Sequence, residues 1–184
     1  ARVVTNEVQN LFIVTKKGMC VRFELNDTRE LGRTARGVTG IRFKEKDDKV
    51  VGAAVIYNDQ EELLAVSENG IGKRTTAEEY RLQKRGGKGV ICMKLTSKTK
   101  DLVDIVIVDE SKDLMALTSN GKMIRVDMQT IRKAGRNTSG VKVVSIEGDD
   151  KVVSIARCPK EEDDEEINEA DLSEDTLLTK RDDE

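Results

Sequence analysis

The chain has 184 residues, of which 37% are hydrophobic, 3% aromatic and 36% charged, with a formal net charge of −3. This length supports one domain whose core is built from Val, Ile, Leu and Ala, since there is no Trp. No apolar run approaches the roughly 20 residues that span a bilayer, and no secretion signal is visible, so we expect no membrane partner. Because the chain begins with Ala, we interpret it as a piece of a longer protein.

Five positions carry the same residue at a spacing of about 51 residues, which predicts one supersecondary unit used three times. The predicted repeats cover about 7–58, 59–109 and 110–158. The recurring residues are Leu11, Leu63 and Leu114; Gly18, Gly70 and Gly121; Arg22, Arg74 and Arg125; Arg33, Arg85 and Arg136; and Gly37, Gly89 and Gly140. Arginine is not needed to build a core, so its recurrence indicates a function that repeats with the fold.

Each repeat is predicted to contain four short strands. In chain order the predicted strands are 11–15, 19–24, 38–44 and 50–57; 63–67, 71–75, 90–95 and 102–108; and 114–118, 122–126, 141–146 and 152–156. Asn69-Gly70 and Asn120-Gly121 lie between β-rich runs and predict hairpins with type I′ turns. The fourth strands are nearly all apolar and are predicted to be buried on both faces. This pattern predicts an all-β, propeller-like array, in which three blades are too few to close a ring.

The end of the chain, 159–184, is predicted to be a separate, disordered acidic tail. Residues 161–184 contain 13 Asp or Glu against Lys180 and Arg181, a net of −11, so the remainder carries +8. A segment this acidic cannot bury itself. Two interpretations stay open: the tail solvates the domain, or it folds back on the basic body and competes with an anionic partner.

Catalytic and metal-binding signals are weak. The chain has no His, and Cys20, Cys92 and Cys158 lie 72 and 66 residues apart, which disfavours a zinc site. No Ser–His or Cys–His pair and no nucleotide-binding glycine pattern is present. We therefore expect no catalytic residue, no metal, no cofactor and no small-molecule substrate in this piece.

The basic residues are the candidate site. The heptapeptide Gln83–Gly89 combines three cations with three glycines, and 32–37 and 135–140 place an arginine at the equivalent position. Repeated around a radial array, these residues would form a basic strip along the rim, suited to the backbone of duplex DNA. No aromatic residues interleave with them, so base stacking and base readout are not expected. The candidate contacts are Arg22, Arg33, Arg36, Lys73, Arg74, Gln83, Lys84, Arg85, Gly86, Gly87, Lys88, Gly89, Arg125 and Arg136.

The heptapeptide resembles the signature box of the C-terminal domain of bacterial DNA gyrase A, departing only at Lys84, where Arg is usual. Residues 67–75 and 135–141 are similar to later blades of that domain, and the resemblance covers about 7–158. It implies a β-pinwheel, a disc of about six blades whose basic rim wraps duplex DNA, and this chain would be the last three blades with the acidic tail.

The resemblance also implies a setting for the domain. The wrapped DNA would support ATP-dependent negative supercoiling by an A2B2 holoenzyme, a type IIA topoisomerase, with gyrase B and the rest of gyrase A as partners. The implied location is the bacterial cytoplasm, in association with the nucleoid. In the family the essential box lies in the first blade, whereas Gln83–Gly89 lies in the second repeat. Whether this loop is the essential box or an echo of it stays open.

Other functions are compatible with the same residues. The C-terminal domain of topoisomerase IV shares the repeats, although the box argues against it. A protein-interaction propeller could use its rim arginines to bind an acidic partner. Dependence on salt and on DNA length would separate that function from DNA wrapping. An enzyme built on a propeller has no supporting residue cluster.

Overall fold

The computed structural model describes residues 4–5, 7 and 9–160, which form three antiparallel sheets. The strands are β1 (Asn10–Thr15), β2 (Met19–Glu24), β3 (Val50–Ile56), β4 (Glu62–Ser67), β5 (Ile71–Thr76), β6 (Val90–Ile91), β7 (Leu102–Ile107), β8 (Lys112–Thr118), β9 (Met123–Asp127), β10 (Val141–Lys142) and β11 (Val152–Pro159). The strand orders are β3-β1-β2-β6, β10-β5-β4-β7 and β11-β8-β9. The all-β, bladed architecture predicted from the repeats is confirmed.

Each sheet is centred on a hairpin, β1–β2, β4–β5 or β8–β9, as the sequence predicts. The turn glycines Gly18, Gly70 and Gly121 have φ of 75°, 70° and 80°. Each donates its N–H to the carbonyl three residues earlier at 2.9–3.0 Å. The type I′ prediction for Asn69 and Asn120 is wrong, because neither asparagine has a positive φ. The hairpins instead close through a four-residue turn whose last residue is the left-handed glycine.

The third strand of a repeat joins the sheet of the preceding repeat. β6 pairs with β2, and β10 pairs with β5. After the second and third hairpins, the long segment that follows crosses to the preceding sheet and adds a short strand to it. At the start of these strands Gly89 and Gly140, with φ of 72° and 85°, lie so close to the Cys20 and Gly72 carbonyls that a Cβ atom would overlap them.

Several predicted strands differ from the structure. The predicted third strands 90–95 and 141–146 form only two residues of strand each, and 38–44 forms none. If residues 38–44 behaved as β6 and β10 do, they would pair with the hairpin of a preceding repeat. The described residues contain no such hairpin. The last strand, β11, runs to Pro159, past its predicted end at 156. Of the predicted tail, 161–184 lie outside the described residues.

The fourth strands β3, β7 and β11 lie side by side at the inner end of the blades. The prediction that they are buried on both faces is wrong for β3, where Val50 is exposed and Val51, Ala53 and Val55 are half-buried. It is also wrong for β11, where Val153, Ser154, Ala156 and Arg157 are exposed. No helix among the described residues is long and apolar enough to cross a membrane.

The core lies between successive sheets. One cluster joins the first two sheets, and in it Phe12 and Tyr80 meet edge to face with ring centroids 4.9 Å apart. A second cluster, which includes Leu64 and Leu114, joins the second sheet to the third. The blades are thus held face to face by aliphatic packing. The loops of the second and third repeats that carry the cations precede β6 and β10, which lie at the sheet edges opposite β3 and β7 and so at the outer ends of the blades.

Candidate nucleic-acid interface

Arg22 lies inside the junction between the first two repeats and is 5% exposed. Its Nε donates to Asn10 Oδ1 at 2.8 Å, and its Nη1 donates to the Ala77 carbonyl at 2.7 Å. It also forms an ion pair with Asp59. Since Ala77 and Asp59 lie outside the hairpin of Arg22, this guanidinium ties the first blade to the chain that follows it.

Arg74 makes the same set of contacts one repeat later. Its Nε pairs with Glu62 at 2.7 Å, its Nη1 donates to the Met128 carbonyl at 3.0 Å, and its Nη2 pairs with Glu110 at 2.7 Å. Burial alone would raise the pKa of Glu62, but hydrogen bonds from Lys133 and Arg74 outweigh it and hold the pKa below its ordinary value. The DNA-contact role predicted for Arg22 and Arg74 does not fit this placement, because both guanidinium groups are buried and paired.

Lys73 is also a structural cation. Its side chain is fully buried, and Nζ donates to Thr75 Oγ1 at 3.1 Å and to the carbonyls of Gly135 and Arg136 at 2.9 and 2.7 Å. Burial lowers the pKa of Lys73. Lys73 thus holds the basic loop of the third repeat through two of its carbonyls. The direct contact with DNA predicted for Lys73 does not fit a buried ammonium group.

Arg125, the third of the second-strand arginines, is half-buried in the last blade. Its Nε pairs with Asp113 at 2.7 Å, and its Nη2 donates to the Pro159 carbonyl. These two contacts lie within its own blade, on β8 and at the end of β11. Of the three second-strand arginines it is the one that retains some exposure.

The Gln83–Gly89 loop lies against the segment 39–42 of the first repeat. The Gly86 N–H donates to the Gly40 carbonyl at 2.7 Å, and the Arg42 N–H donates to the Gly87 carbonyl at 2.9 Å. The Gln83 N–H donates to the Arg22 carbonyl at 2.8 Å, while its side-chain Nε2 is buried without a hydrogen-bond partner among the described residues. The loop backbone is thus fixed by the neighbouring repeat.

Arg85 and Arg136 occupy equivalent positions in two repeats, and each makes the same contact with the preceding repeat. Arg85 Nη1 donates to the Thr39 carbonyl at 2.7 Å, and Arg136 Nη1 donates to the Ile91 carbonyl at 2.8 Å. Arg85 Nε also donates to the Asp27 carbonyl at 2.9 Å. These partners are neutral carbonyl groups, and no ion pair of either arginine with an acid is present among residues 9–160, so each positive charge is held in place there without being neutralised.

The remaining loop cations are exposed. Lys84 and Lys88 flank Arg85 on the same loop, and Arg33 and Arg36 lie on the equivalent loop of the first repeat. The structure adds Arg42 and Lys94, which are not among the contacts predicted from the sequence. They occupy equivalent positions in the first two repeats. The Arg42 N–H donates to the Gly87 carbonyl and the Lys94 N–H donates to the Thr138 carbonyl, so each contacts the basic loop of the next repeat. Their spacing of 52 residues matches the repeat, and this is the signal by which the sequence could have identified them.

The part of the chain that the structure describes contains no group of three or more His, Cys, Asp or Glu side chains arranged to hold a metal ion. What it contains instead is a set of exposed cations repeated from blade to blade. Such an arrangement can bind a polyanion at several points along its length.

The family model for the DNA gyrase C-terminal domain, a β-propeller, matches this chain three times, over residues 9–56, 61–109 and 112–159. The three matches follow the three repeats.

The chain is also similar to gyrase A proteins along most of its length. DNA gyrase A of Campylobacter fetus is 73% identical over 161 residues, covering 88% of this chain and 19% of the relative. That of Helicobacter pylori strain J99 is 54% identical over 168 residues, covering 91% of this chain and 20% of the relative. The chain spans about a fifth of the length of these relatives.

Solved structures give the same fold. A DNA gyrase A C-terminal domain superposes with a TM-score of 0.74 at 26% identity, covering 84% of this chain and 52% of the other. A topoisomerase IV C-terminal domain superposes with a TM-score of 0.77 at 22% identity, covering 85% and 49%. The second match supports the fold alone. On the three family matches and the identity to gyrase A proteins, the chain belongs to the DNA gyrase C-terminal domain family.

Proposed function

We propose that this domain binds duplex DNA through the exposed cations of its blade loops, without sequence specificity. The observation that carries the proposal is that some of the repeated arginines and lysines are buried and paired while others are exposed. Arg22, Arg74 and Lys73 are buried and hold blades and loops together, whereas Lys84 and Lys88 on one loop and Arg33 and Arg36 on another face solvent. Residues 1–160 carry a net charge of +8, so the domain has positive charge available to an anionic partner.

The type of contact follows from the elements that present these cations. Among the described residues the only helices are single 3-10 turns, at Leu25–Asp27, Ala77–Glu79 and Met128–Thr130. None is long enough to lie in a major groove and read bases. Lysine and arginine side chains on loops contact phosphates, which position a protein on DNA without reading its sequence.

Repetition gives the proposal its geometry. The Gln83–Gly89 loop carries Lys84, Arg85 and Lys88, with Arg42 beside it, and the loop of the third repeat carries Arg136, with Lys94 beside it. DNA that contacts successive loops has to follow the outer ends of the blades. We infer that the duplex bends around the domain, so that long duplexes bind more tightly than short ones.

We further infer that the domain acts as part of gyrase A, together with the rest of that polypeptide and with gyrase B in an A2B2 enzyme. Wrapped DNA would there be presented for ATP-dependent negative supercoiling in the bacterial cytoplasm, near the nucleoid. The identity to gyrase A proteins supports this setting. The chemistry of strand cleavage and ATP hydrolysis would belong to those other parts.

The test is binding of the 184-residue chain to fluorescent duplexes of increasing length. The double variant Lys84→Ala/Lys88→Ala should weaken binding to every duplex, because it removes two exposed charges from one loop. Lys151→Ala, an exposed lysine before the inner strand β11, is the matched control and should change little. Affinity that does not grow with duplex length, or equal losses in variant and control, would favour an acidic protein as the partner instead.

A further inference from the structure

The junction between the first two repeats contains two cysteines. Cys20 lies on β2, and Cys92 directly follows β6, the short strand that pairs with β2. Cys20 is opposite Val90 in that pairing, and the Cys92 N–H donates to the Gly18 carbonyl at 2.7 Å. Both side chains are fully buried, and both are free thiols. The two thiols therefore lie in the contact between the first blade and the chain that leaves the Gln83–Gly89 loop.

The second junction shows how close these two positions lie. Gly72 is the counterpart of Cys20, 52 residues later. Val143 is the counterpart of Cys92, 51 residues later, and its N–H also donates to the carbonyl of a turn glycine, at 2.9 Å. A Cβ atom at Gly72 would lie 3.0 Å from Val143 Cγ2. In a disulfide, the Cβ of one cysteine is about 3 Å from the sulfur of the other, so the two positions are close enough for a sulfur–sulfur bond.

The surroundings of Cys92 favour its reactive form. A hydrogen bond from the Cys20 side chain lowers the pKa of the Cys92 thiol, and it outweighs burial, which acts in the opposite direction. The positive charge of Lys73 and the Tyr80 hydroxyl, whose oxygen lies 3.8 Å from Cys92 Sγ, lower this pKa further. Burial raises the pKa of Cys20. Disulfide exchange begins with a thiolate, so Cys92 is the thiol that attacks first and Cys20 the one that completes the bond.

Strand β6 provides the access route to the two thiols. Because both are buried, an oxidant reaches them only when β6 separates from β2. β6 is the edge strand of its sheet and has two residues, Val90 and Ile91, neither of which is buried. A cleft of about 440 Å³ lies beside it, and Met19, Ile91 and Met93, which adjoin the two cysteines in the chain, line this cleft. Segments with few buried contacts open locally at a lower free energy than global unfolding, so a small molecule can enter from the cleft.

We propose that Cys20 and Cys92 form a reversible disulfide on reaction with a small-molecule disulfide such as glutathione disulfide. The Cys92 thiolate attacks one sulfur of the oxidant and forms a mixed disulfide, and the thiolate that leaves takes up the proton that Cys92 has lost. The Cys20 sulfur then loses its proton, attacks the Cys92 sulfur and displaces the second thiolate, which takes up that proton. Two cysteine thiols are thereby oxidised to one disulfide, and the oxidant is reduced to two thiols.

The bond secures one junction of the domain and leaves the other as it is. In the reduced chain, the ladder between β2 and β6 has two residue pairs, and the disulfide adds a covalent link at its end. It closes a ring from residue 20 to residue 92, which removes conformational freedom from the unfolded chain. The second junction has Gly72 and Val143 at these positions and cannot form the bond. In a reducing compartment such a bond forms transiently, so the junction beneath the Gln83–Gly89 loop responds to the redox state of small thiols.

The test treats the folded 184-residue chain with glutathione disulfide, blocks the remaining thiols by alkylation and digests the chain with trypsin without reduction. Trypsin releases the peptides 18–22 and 89–94, each of which contains one of the two cysteines. We expect mass spectrometry to find these peptides joined by one bond that dithiothreitol breaks. The melting temperature of the oxidised chain should exceed that of the reduced chain by about 5 °C or more, because the bond constrains the unfolded state.

Two variants separate this bond from any other thiol reaction. Cys92→Val introduces the residue that the second junction has at this position, so the variant should fold and yet lose both the linked peptides and the rise in melting temperature. Cys158→Ser is the matched control, at the one cysteine that is not buried, and should retain both. Recovery of Cys20 and Cys92 as alkylated thiols, or an equal rise in melting temperature in Cys92→Val, would overturn the proposal. Neither readout involves DNA, so the result is independent of the proposed function.

Discussion

Replacement of Arg74 by Ala tests the structural role of the buried arginines. Arg74 is 3% exposed and links Glu62 on β4, the Met128 carbonyl and Glu110. The variant leaves the Glu62 carboxylate, 13% exposed, with Lys133 alone, and it leaves the Met128 carbonyl without that donor. Removing one partner of a buried pair costs about 3–5 kcal/mol, and the Glu110 contact adds little because that carboxylate is 59% exposed.

The assay is urea unfolding followed by far-ultraviolet circular dichroism. Arg132→Ala, an exposed arginine in the third repeat, is the control and should change the unfolding free energy by less than about 0.5 kcal/mol. Glu62→Gln should cost more than Glu110→Gln, since only Glu62 is mostly buried. A loss below about 1 kcal/mol for Arg74→Ala would refute the account of Arg74 as a tie between blades.

Three further predictions concern stability. Burial lowers the pKa of Lys73, so the charged form is less stable in the folded state than in the unfolded state. The free energy of unfolding of the wild type should therefore rise relative to that of Lys73→Met as pH rises toward 10.5. A difference between the two proteins that does not depend on pH would contradict this. Although burial opposes it, hydrogen bonds from Ser119 and Thr118 lower the pKa of Asp150 to about 2, so Asp150→Asn should flatten the loss of stability between pH 3.8 and about 2 in acid unfolding. Gly89→Ala should destabilise more than Gly37→Ala in thermal melts, because both have positive φ but only Gly89 abuts a carbonyl; equal losses would exclude close packing as the cause.

The sequence predicts the repeat and the hairpins well, because period-2 patterning and turn glycines are local signals. Gly18, Gly70 and Gly121 mark the three turns correctly. It does not predict the exchange of β6 and β10 between sheets, since the choice of partner strand depends on where the crossing segment lands. Short, half-buried third strands carry too little periodicity to reveal that choice.

The candidate site divides in a similar way. The recurrence of arginine at 22, 74 and 125 is a true signal, but its cause is structural, since a buried guanidinium can join a strand, a carbonyl and an acid in one place. Recurrence in a sequence does not distinguish a repeated binding contact from a repeated junction. Burial does, and it separates Arg22 and Arg74 from Lys84 and Lys88.

The central claim is that exposed loop cations bind the phosphates of duplex DNA. Its most direct test is the slope of the logarithm of the association constant against the logarithm of salt concentration, measured on one long duplex. If Lys84 and Lys88 each contact a phosphate, Lys84→Ala/Lys88→Ala should reduce the magnitude of that slope by about two. An unchanged slope in the double variant would contradict the claim, because it would mean that neither lysine displaces a counterion from the DNA.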